Sequence, residues 1–234
     1  MTTVFDAIED KSLTVLAGEG GVVLHNISWG TYLSLLEDLD EKTSVHLNYD
    51  RGTLEIMTLS PRHERYSRIF TVLLENLSSL FEIDIEETGS TTFKREDLQG
   101  GFEADTSFYF KNAVIIREKL KKASQSKKKK DRRVEIDLAT DPAPELVIEV
   151  DISNSSLNKM PIYARVAVQE IWRYDGYSVY FYQLDVEAGE YKLINRSLSF
   201  PSVTPELVRS YLEKSIELSR PELARYLREL LRPA

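Results

Sequence analysis

The sequence predicts an α+β fold in which a central mixed β-sheet is flanked by helices. Two alternating runs, SVHLNYD and TLEIMTL, are joined through Asp50-Arg51-Gly52 and are typical of a β-hairpin. Apolar side chains recur at helical spacing from about residue 61 to 81, which indicates a long amphipathic helix. The apolar run PELVIEV then precedes segments that favour an antiparallel meander. Together these three observations predict the α+β class.

The first half of the chain contains two predicted helices. Ser28 and Trp29 open an amphipathic segment, whose apolar positions are Trp29, Tyr32, Leu33, Leu36 and Leu39. Ser60-Pro61 marks the start of the long helix, because Ser is a favourable cap and Pro is tolerated at the first helical position. We expect this helix to end near Phe81 and to bury one face, formed by Tyr66, Phe70, Leu73, Leu77 and Phe81.

The second half alternates strands with short helices. FEIDIEET and GFEADTSFYF are each predicted as one strand, PELVIEV as an apolar strand and MPIYARVAV as a short helix. The runs EIWRYD, YSVYFYQL and YKLIN, with a turn at Gly176, predict the antiparallel meander. Two C-terminal helices, at about 205–218 and 221–232, are separated by Arg220-Pro221 because Pro interrupts a helix.

Length and composition indicate one globular domain. The chain has 234 residues, of which 42% are hydrophobic, so we expect a single domain over 1–234 with its core at about 25–215. No apolar stretch approaches the roughly 18 residues of a membrane helix, and the N-terminal sequence lacks the pattern of a secretory signal. The absence of cysteine excludes disulfides and thiolate metal sites and fits a cytoplasmic protein.

Charge is distributed unevenly along the chain. The net charge is -8, yet residues 117–133 contain ten basic residues against Glu118 and Asp131. The low-complexity run ASQSKKKK favours a solvated, mobile insertion. The alternative is a basic segment that binds a phosphate backbone.

Carboxylates interrupt two apolar strands. Glu149 lies near the end of LVIEV, and strand alternation puts it on the same face as Asp151. Asp105 interrupts GFEADTSFYF in the same way. A buried carboxylate costs several kcal/mol unless it is compensated, and hard cations such as Mg²⁺ bind one or two carboxylates together with water and phosphate. Asp105 and Glu149 therefore predict a metal site, which Lys159 could reach from the following helix.

Structural alternatives exist for each residue of this set. Glu149 alone could pair with an arginine, and Asp151 could be a third ligand or a cap for the following turn. We expect His63 to be a surface residue in the first turn of the long helix. With three histidines in the whole chain, a zinc site built on histidine is not expected.

The order of an acid on a helix, Asp and Glu on strands, and then Lys resembles the PD-(D/E)XK nuclease superfamily. More closely, the chain resembles the Uma-two family of restriction-endonuclease-like proteins over roughly residues 25–215. The residues that carry the resemblance are SPRHER at 60–65, GFEADTSFYF at 101–110 and DPAPELVIEVDISNSSLNKMPIYARVAVQEIWRYDG at 141–176. The resemblance implies a restriction-endonuclease-like core, and the third stretch is the most specific.

The resemblance also implies a role for four residues. Glu64 matches the helix acid, Asp105 the central metal ligand, and Glu149 the second acidic ligand, with the Val150 carbonyl as a further ligand. Lys159 matches the lysine that orients the attacking water or stabilises the developing negative charge. Two positions depart from the pattern. Ala104 replaces the usual Pro before Asp105, and Asp151 stands where a lysine usually follows the Glu, so that Lys159 must supply the cation.

The function predicted from the sequence is a metal-dependent endonuclease that hydrolyses phosphodiester bonds of DNA with Mg²⁺ or Mn²⁺. The alternative is a catalytically inactive protein of the nuclease fold that acts as a nucleic-acid-binding or scaffold module. A third hypothesis is a structural protein with a coincidental acid cluster, which would bind no metal. Cleavage of both DNA strands needs two active sites, so a homodimer is expected. No membrane partner is expected.

Overall fold

The computed structural model describes residues 13–16, 21–39, 45–125, 136–152 and 157–232. Within these ranges the chain forms six helices and two mixed β-sheets, which confirms the predicted α+β class. The helices are α1 (Trp29–Asp38), α2 (Pro61–Phe81), α3 (Ala113–Ser124), α4 (Met160–Arg165), α5 (Pro205–Lys214) and α6 (Arg220–Leu230). The strands are β1 (Leu13–Leu16), β2 (Gly21–Leu24), β3 (Val45–Asp50), β4 (Thr53–Thr58), β5 (Glu86–Glu87), β6 (Thr92–Arg95), β7 (Gly100–Glu103), β8 (Thr106–Tyr109), β9 (Ile136–Asp137), β10 (Leu146–Val150), β11 (Glu170–Tyr174), β12 (Val179–Asp185) and β13 (Glu190–Ile194).

The seven-stranded sheet has the order β1-β2-β4-β3-β7-β6-β9. Its centre is the predicted hairpin, in which β3 pairs antiparallel with β4 and Asn48 lies opposite Glu55. The turn residues Arg51 and Gly52 have φ angles of 46° and 92°. Positive φ at both central residues suits the right-handed twist of the strands that a two-residue turn connects. The hairpin prediction is confirmed.

The six-stranded sheet has the order β13-β12-β11-β10-β8-β5. The predicted meander forms its β11, β12 and β13 side, where neighbouring strands are antiparallel. Strand β10 lies inside the sheet, parallel to β11 and antiparallel to β8. All five residues of β10 are buried, because apolar layers cover both of its faces. Burial on both faces explains why this strand is an almost continuous apolar run.

The long helix α2 begins as the sequence predicts. Ser60 accepts a hydrogen bond from the backbone N–H of His63, and Pro61 occupies the first turn. One face of the helix packs in the apolar cluster that also contains the alternate residues Leu146, Ile148 and Val150 of β10. The prediction is wrong at the end of that face: Phe81 is 38% exposed, because the helix stops there and Glu82 turns into the left-handed region.

Four sequence predictions need correction. The strands form two sheets where one central sheet was predicted. GFEADTSFYF is not one strand: β7 belongs to the seven-stranded sheet and β8 to the six-stranded sheet, and the chain crosses between them at Ala104 and Asp105. FEIDIEET contributes only the two residues of β5, because Ile83 and Ile85 pack against the core instead of extending a strand. Residues 117–124 are helical, within α3.

Helix α3 is anchored by its apolar residues and by ion pairs. Ala113 and Ile116 are buried, while Arg117 pairs with Asp84 and Glu86. The first basic residue of the predicted insertion therefore contacts acidic side chains of this chain. Residues 126–133 of that insertion lie outside the described ranges.

The C-terminal helix α5 packs on β12 of the six-stranded sheet and α6 packs on α5, and Tyr211, Leu223 and Leu227 are buried in the same apolar cluster. Ile216 lies within the first helix predicted at about 205–218, but α5 ends at Lys214 and Ile216 is exposed in the turn that follows. Among the described helices, none is both long and apolar enough to span a bilayer. The single domain over 1–234 stays a prediction.

Candidate active site

Asp105 lies at the crossing between the two sheets, directly before β8. Its side chain is buried, and its Oδ2 accepts a hydrogen bond from the backbone N–H of Val150 at 2.6 Å. The same oxygen lies 3.1 Å from Nε2 of His63 on α2. The Ser67 hydroxyl donates to the backbone carbonyl of Asp105 at 3.0 Å. Contacts with α2 and β10 thus fix both the backbone and the carboxylate of Asp105.

Strand register brings Glu149 level with Asp105. In the antiparallel pair of β8 and β10, Thr106 lies opposite Ile148; Asp105 directly precedes Thr106, and Glu149 directly follows Ile148. The negative charge of Asp105 acts to raise the pKa of Glu149, so the two carboxylates lie near each other. Glu149 is 5% exposed and points to the same face of β10 as Val147, which packs in the cluster that contains Tyr163 of α4. The expected proximity of the two carboxylates is therefore present in the structure.

Lys159 reaches this cluster from the N-terminus of α4. It is the N-cap residue, is 8% exposed, and its Nζ forms an ion pair with Oε2 of Glu149. The Tyr163 hydroxyl, one turn further along, donates to the other oxygen of Glu149. Pro161 lies in the first turn of α4, where a missing N–H is tolerated. The sequence analysis predicted Lys159 at this position, but it did not predict the contact between Tyr163 and Glu149.

The charges of this cluster compensate one another. Burial raises the pKa of Glu149 to about 8, and the positive charge of Lys159 opposes that shift. Burial also acts to raise the pKa of Asp105, but the hydrogen bond from His63 and the charge of Lys159 lower it below its usual value. Burial disfavours the ammonium of Lys159, yet Glu149 and Asp105 together raise its pKa. A carboxylate is tolerated inside an apolar strand because these partners surround it.

The site also contains two histidines, His63 and His46, which the sequence analysis did not assign to it. His63 was expected on the surface, but it is 3% exposed because it continues the buried stripe of α2 that contains Tyr66 and Phe70. Its spacing of three residues from Tyr66 was the signal that could have shown this. His46 of β3 places Nδ1 3.3 Å from Oε2 of Glu103, and burial lowers its pKa.

The remaining predicted residues lie at the edge of this cluster. Glu64 is exposed in the first turn of α2 and lines the cavity described below, together with Asp105. Asp151 forms an ion pair with Arg173, and its backbone N–H donates to the carbonyl of Tyr174 at 2.7 Å. This contact with an arginine of the neighbouring strand is neither of the two roles, a third metal ligand or a cap for the following turn, that the sequence left open for Asp151.

A cavity of about 470 Å³ opens beside Asp105. Its charged lining is mixed: the basic residues are Arg68 and Arg220, and the acidic residues are Glu64, Glu75, Glu87 and Asp105. His46 and several hydroxyl side chains also line it. The cavity is large enough to admit part of a polar substrate to the carboxylate of Asp105.

The donor atoms suit a magnesium-type cation. Asp105 and Glu149 provide carboxylate oxygens from neighbouring strands, and Mg²⁺ is commonly held by one or two carboxylates, with water and substrate phosphate as the other ligands. Over the described part of the chain, no group of three or more His, Asp or Glu side chains is arranged to hold a metal ion. The residues present thus fit a cation whose other ligands are water and substrate oxygens. They do not fit a site in which protein side chains supply all the ligands.

The architecture defines the class of this protein: an α+β protein with a buried carboxylate pair and lysine at the junction of two sheets. The family model Uma2, described as "Putative restriction endonuclease", matches residues 29–213. The chain therefore belongs to the Uma2 family, which confirms the resemblance seen in the sequence and supports a nuclease.

Comparisons with individual proteins give less information. A crystal structure of a putative nuclease belonging to DUF820 from Anabaena variabilis ATCC 29413 is similar over 86% of this chain and 99% of that chain. The sequence identity is 14% and the TM-score is 0.44. No curated protein matches the chain.

Proposed function

We propose that this protein is a Mg²⁺- or Mn²⁺-dependent endonuclease that hydrolyses phosphodiester bonds of DNA. One observation carries the proposal: Asp105 and Glu149 directly adjoin the paired residues Thr106 and Ile148 of β8 and β10, and Lys159 contacts Glu149 in the same buried cluster. Membership of the Uma2 family supports a nuclease. The metal and the DNA substrate are inferred from the chemistry of the cluster.

Asp105 and Glu149 would hold the metal, and their neighbours fix these two carboxylates. When bound, Mg²⁺ supplies Lewis-acid polarisation of a phosphoryl oxygen and lowers the pKa of water from roughly 15.7 towards neutrality. His63 and the Val150 N–H orient the Asp105 carboxylate, while Tyr163 orients that of Glu149. Preorganised ligands of this kind reduce the reorganisation that binding requires.

Lys159 would act on the reacting phosphate. Its ammonium can orient the attacking water or stabilise the negative charge that develops on the phosphoryl oxygens. Water attacks phosphorus in line with the leaving oxygen, so that one P–O bond forms while the other breaks and no covalent enzyme intermediate is needed. Arg68 and Arg220, the basic residues that line the cavity, would contact flanking phosphates of the strand.

A second candidate function is a nuclease fold that binds nucleic acid without cleaving it. The observation that favours it is the ion pair of Lys159 with Glu149, since a metal ion would have to compete with that ammonium for the same carboxylate. Under this hypothesis a metal ion can still bind at the cluster, but the pair of Lys159 with Glu149 persists and no cleavage follows.

Titration calorimetry with Mg²⁺ and Mn²⁺, combined with nicking of supercoiled plasmid, tests the proposal. We expect wild type to bind metal and nick DNA, and Asp105→Ala to do neither. Asp97→Ala is the control, because Asp97 is exposed and its ion pair within the described part of the chain is with Arg95 beside it. We expect Lys159→Met to retain metal binding and to lose nicking by about 10²–10³-fold, the scale of losing one charge-stabilising group.

The two readouts separate the hypotheses. Metal binding without nicking by wild type would replace the endonuclease with the inactive nucleic-acid-binding module. If wild type bound no metal even with DNA present, both metal-based hypotheses would be wrong and the cluster would be structural.

A further inference from the structure

Two carboxylates of the seven-stranded sheet contact the segment that carries Lys159. We call residues 157–165 the lysine segment. At its start, Oε1 of Glu55 on β4 accepts a hydrogen bond from the backbone N–H of Leu157 at 3.3 Å. At its end, Oδ1 of Asp50 on β3 forms an ion pair with Arg165. The two contacts flank Lys159, one on each side along the chain.

Glu55 is itself rigidly held. Its side chain is 0% exposed, and its Oε2 accepts a hydrogen bond from Nδ2 of Asn48, directly opposite on β3, at 3.0 Å. Asn48 in turn accepts, through Oδ1, the backbone N–H of Glu103 on β7 at 3.0 Å. A carboxylate buried this deeply is costly unless such bonds compensate it. The chain of bonds therefore links three strands of one sheet to the start of the lysine segment.

The lysine segment needs outside support to hold its position. Helix α4 has only six residues, and its N-cap residue Lys159 makes no capping hydrogen bond through its side chain. A helix this short has little stability of its own, so its placement depends on tertiary contacts. Ile162 and the ring of Tyr163 provide apolar contacts in the core, which are non-directional, and the Tyr163 hydroxyl donates to Glu149 from the middle of the segment. The directional contacts at the two ends come from Glu55 and Asp50.

We propose that Glu55 and Asp50 are positioning residues that hold the lysine segment from both ends and thereby set the ammonium of Lys159 against Glu149. A catalytic role for Glu55 and Asp50 rests on the proposed endonuclease function. Their role in fixing the position of Lys159 does not. Neither residue touches the reacting atoms, and both act through the backbone or the helix that carries the lysine.

The position of Lys159 can be measured without any activity. The rate at which Lys159 reacts with an amine-modifying reagent, followed by mass spectrometry on the full chain, reports its exposure and its pairing. We expect Glu55→Ala and Asp50→Ala each to raise this rate by roughly 10-fold or more, the factor that corresponds to losing one hydrogen bond to a charged group. Glu55→Gln keeps one acceptor for Leu157 and should restore a slower rate.

Glu170→Ala is the matched control. Glu170 is also a buried glutamate that accepts backbone N–H groups, from Leu198 and Ser199, and its side chain makes none of its hydrogen bonds to the lysine segment. We expect Glu170→Ala to lower the free energy of unfolding without selectively raising the rate at which the reagent modifies Lys159. If Glu170→Ala raised the rate as much as Glu55→Ala, general loosening would explain the effect and the proposal would be wrong. Asp50 is partly exposed, so Asp50→Ala keeps the test available even if Glu55→Ala does not fold.

Activity measurements complete the test. In the nicking assay we expect Glu55→Ala and Asp50→Ala to lower kcat by about 10-fold or more while both variants still bind Mg²⁺, because the carboxylate pair itself is unchanged. Unchanged labelling and unchanged kcat would overturn the proposal. If wild type did not nick DNA, the endonuclease function would fail, whereas the labelling rates would still decide whether these residues position Lys159.

Discussion

At the scale of single residues, the central feature is a glutamate inside an apolar strand. Glu149 is tolerated because Lys159 and the Tyr163 hydroxyl each contact one of its oxygens, while Asp105 beside it has its own partners in His63 and the Val150 N–H. The sequence indicated that Glu149 requires a positive partner. In the structure that partner is Lys159.

Tyr163→Phe tests the contribution of the hydroxyl to this cluster. We expect it to lower the free energy of unfolding by about 1.5–3 kcal/mol, the range for a hydrogen bond to a charged group, when measured by urea unfolding above pH 8. At that pH the Glu149 carboxyl, with a pKa of about 8, is ionised.

Tyr109→Phe is the control for this substitution. The Tyr109 side chain is equally buried, but its hydroxyl donates to the neutral carbonyl of Pro142 at 3.0 Å. Its loss should cost only about 0.5–1.5 kcal/mol. Equal costs for the two tyrosines would contradict a charged partner for Tyr163.

At the scale of elements, β7 packs closely against Tyr32 of α1 and Ile162 of α4. A Cβ on Gly101 would lie 2.2 Å from the hydroxyl oxygen of Tyr32, a buried residue of α1. A Cβ on Gly100 would lie 3.5 Å from Cγ2 of Ile162 on α4, which is an ordinary contact. The strand therefore requires glycine at one of the two positions for its close approach to α1.

Gly101→Ala should consequently be much more harmful than Gly100→Ala. We expect Gly101→Ala to lower the free energy of unfolding by about 1–3 kcal/mol because of overpacking against Tyr32. Gly100→Ala should change it by no more than about 1 kcal/mol. Denaturant unfolding of both variants checks this, and a Gly100→Ala variant as unstable as Gly101→Ala would show that the contact with Tyr32 is not the cause.

At the scale of the whole molecule, a second buried glutamate ties the C-terminal part of the chain to the six-stranded sheet. Glu170 of β11 accepts hydrogen bonds from Nε1 of Trp172 and from the backbone N–H groups of Leu198 and Ser199. Burial raises its pKa above the ordinary value of 4.5, although these donors oppose the shift. The folded state therefore holds the proton of Glu170 more tightly than the unfolded state does.

The raised pKa of Glu170 predicts how the free energy of unfolding changes with pH. Because the folded pKa is raised, the contribution of Glu170 is fully present below about pH 4.5 and is lost as the pH rises through the folded pKa. Glu170→Gln has no carboxyl to titrate at this position. As the pH rises, the free energy of unfolding of wild type should therefore fall relative to that of this variant. Urea unfolding from pH 4 to 9 measures it. A difference that did not change, or that changed in favour of wild type, would contradict the shift.

The elements predicted best are those whose signals are local. The hairpin at Asp50-Arg51-Gly52 follows from turn chemistry, and the start of α2 follows from the cap at Ser60 with Pro61 after it. The strands that were missed or misjudged depend on distant partners: β5 and β9 have two residues each and exist because β8 and β6 pair with them. Short strands have no periodicity of their own to detect.

The candidate site likewise has some features that the sequence predicted and others that depend on distant parts of the chain. By itself, the sequence determined the α+β class, the meander and the four residues Glu64, Asp105, Glu149 and Lys159, because carboxylates in apolar runs and the order of the family motif are visible along the chain. Their proposed roles stay predictions.

Only the tertiary structure decided that the chain leaves one sheet and enters another at Asp105, that His63 faces inward, and that Glu55 and Asp50 contact the lysine segment. These facts join residues far apart in the sequence. The physical reason is that burial and hydrogen-bond partners are properties of the packed chain, whereas capping, turns and alternation are properties of neighbouring residues.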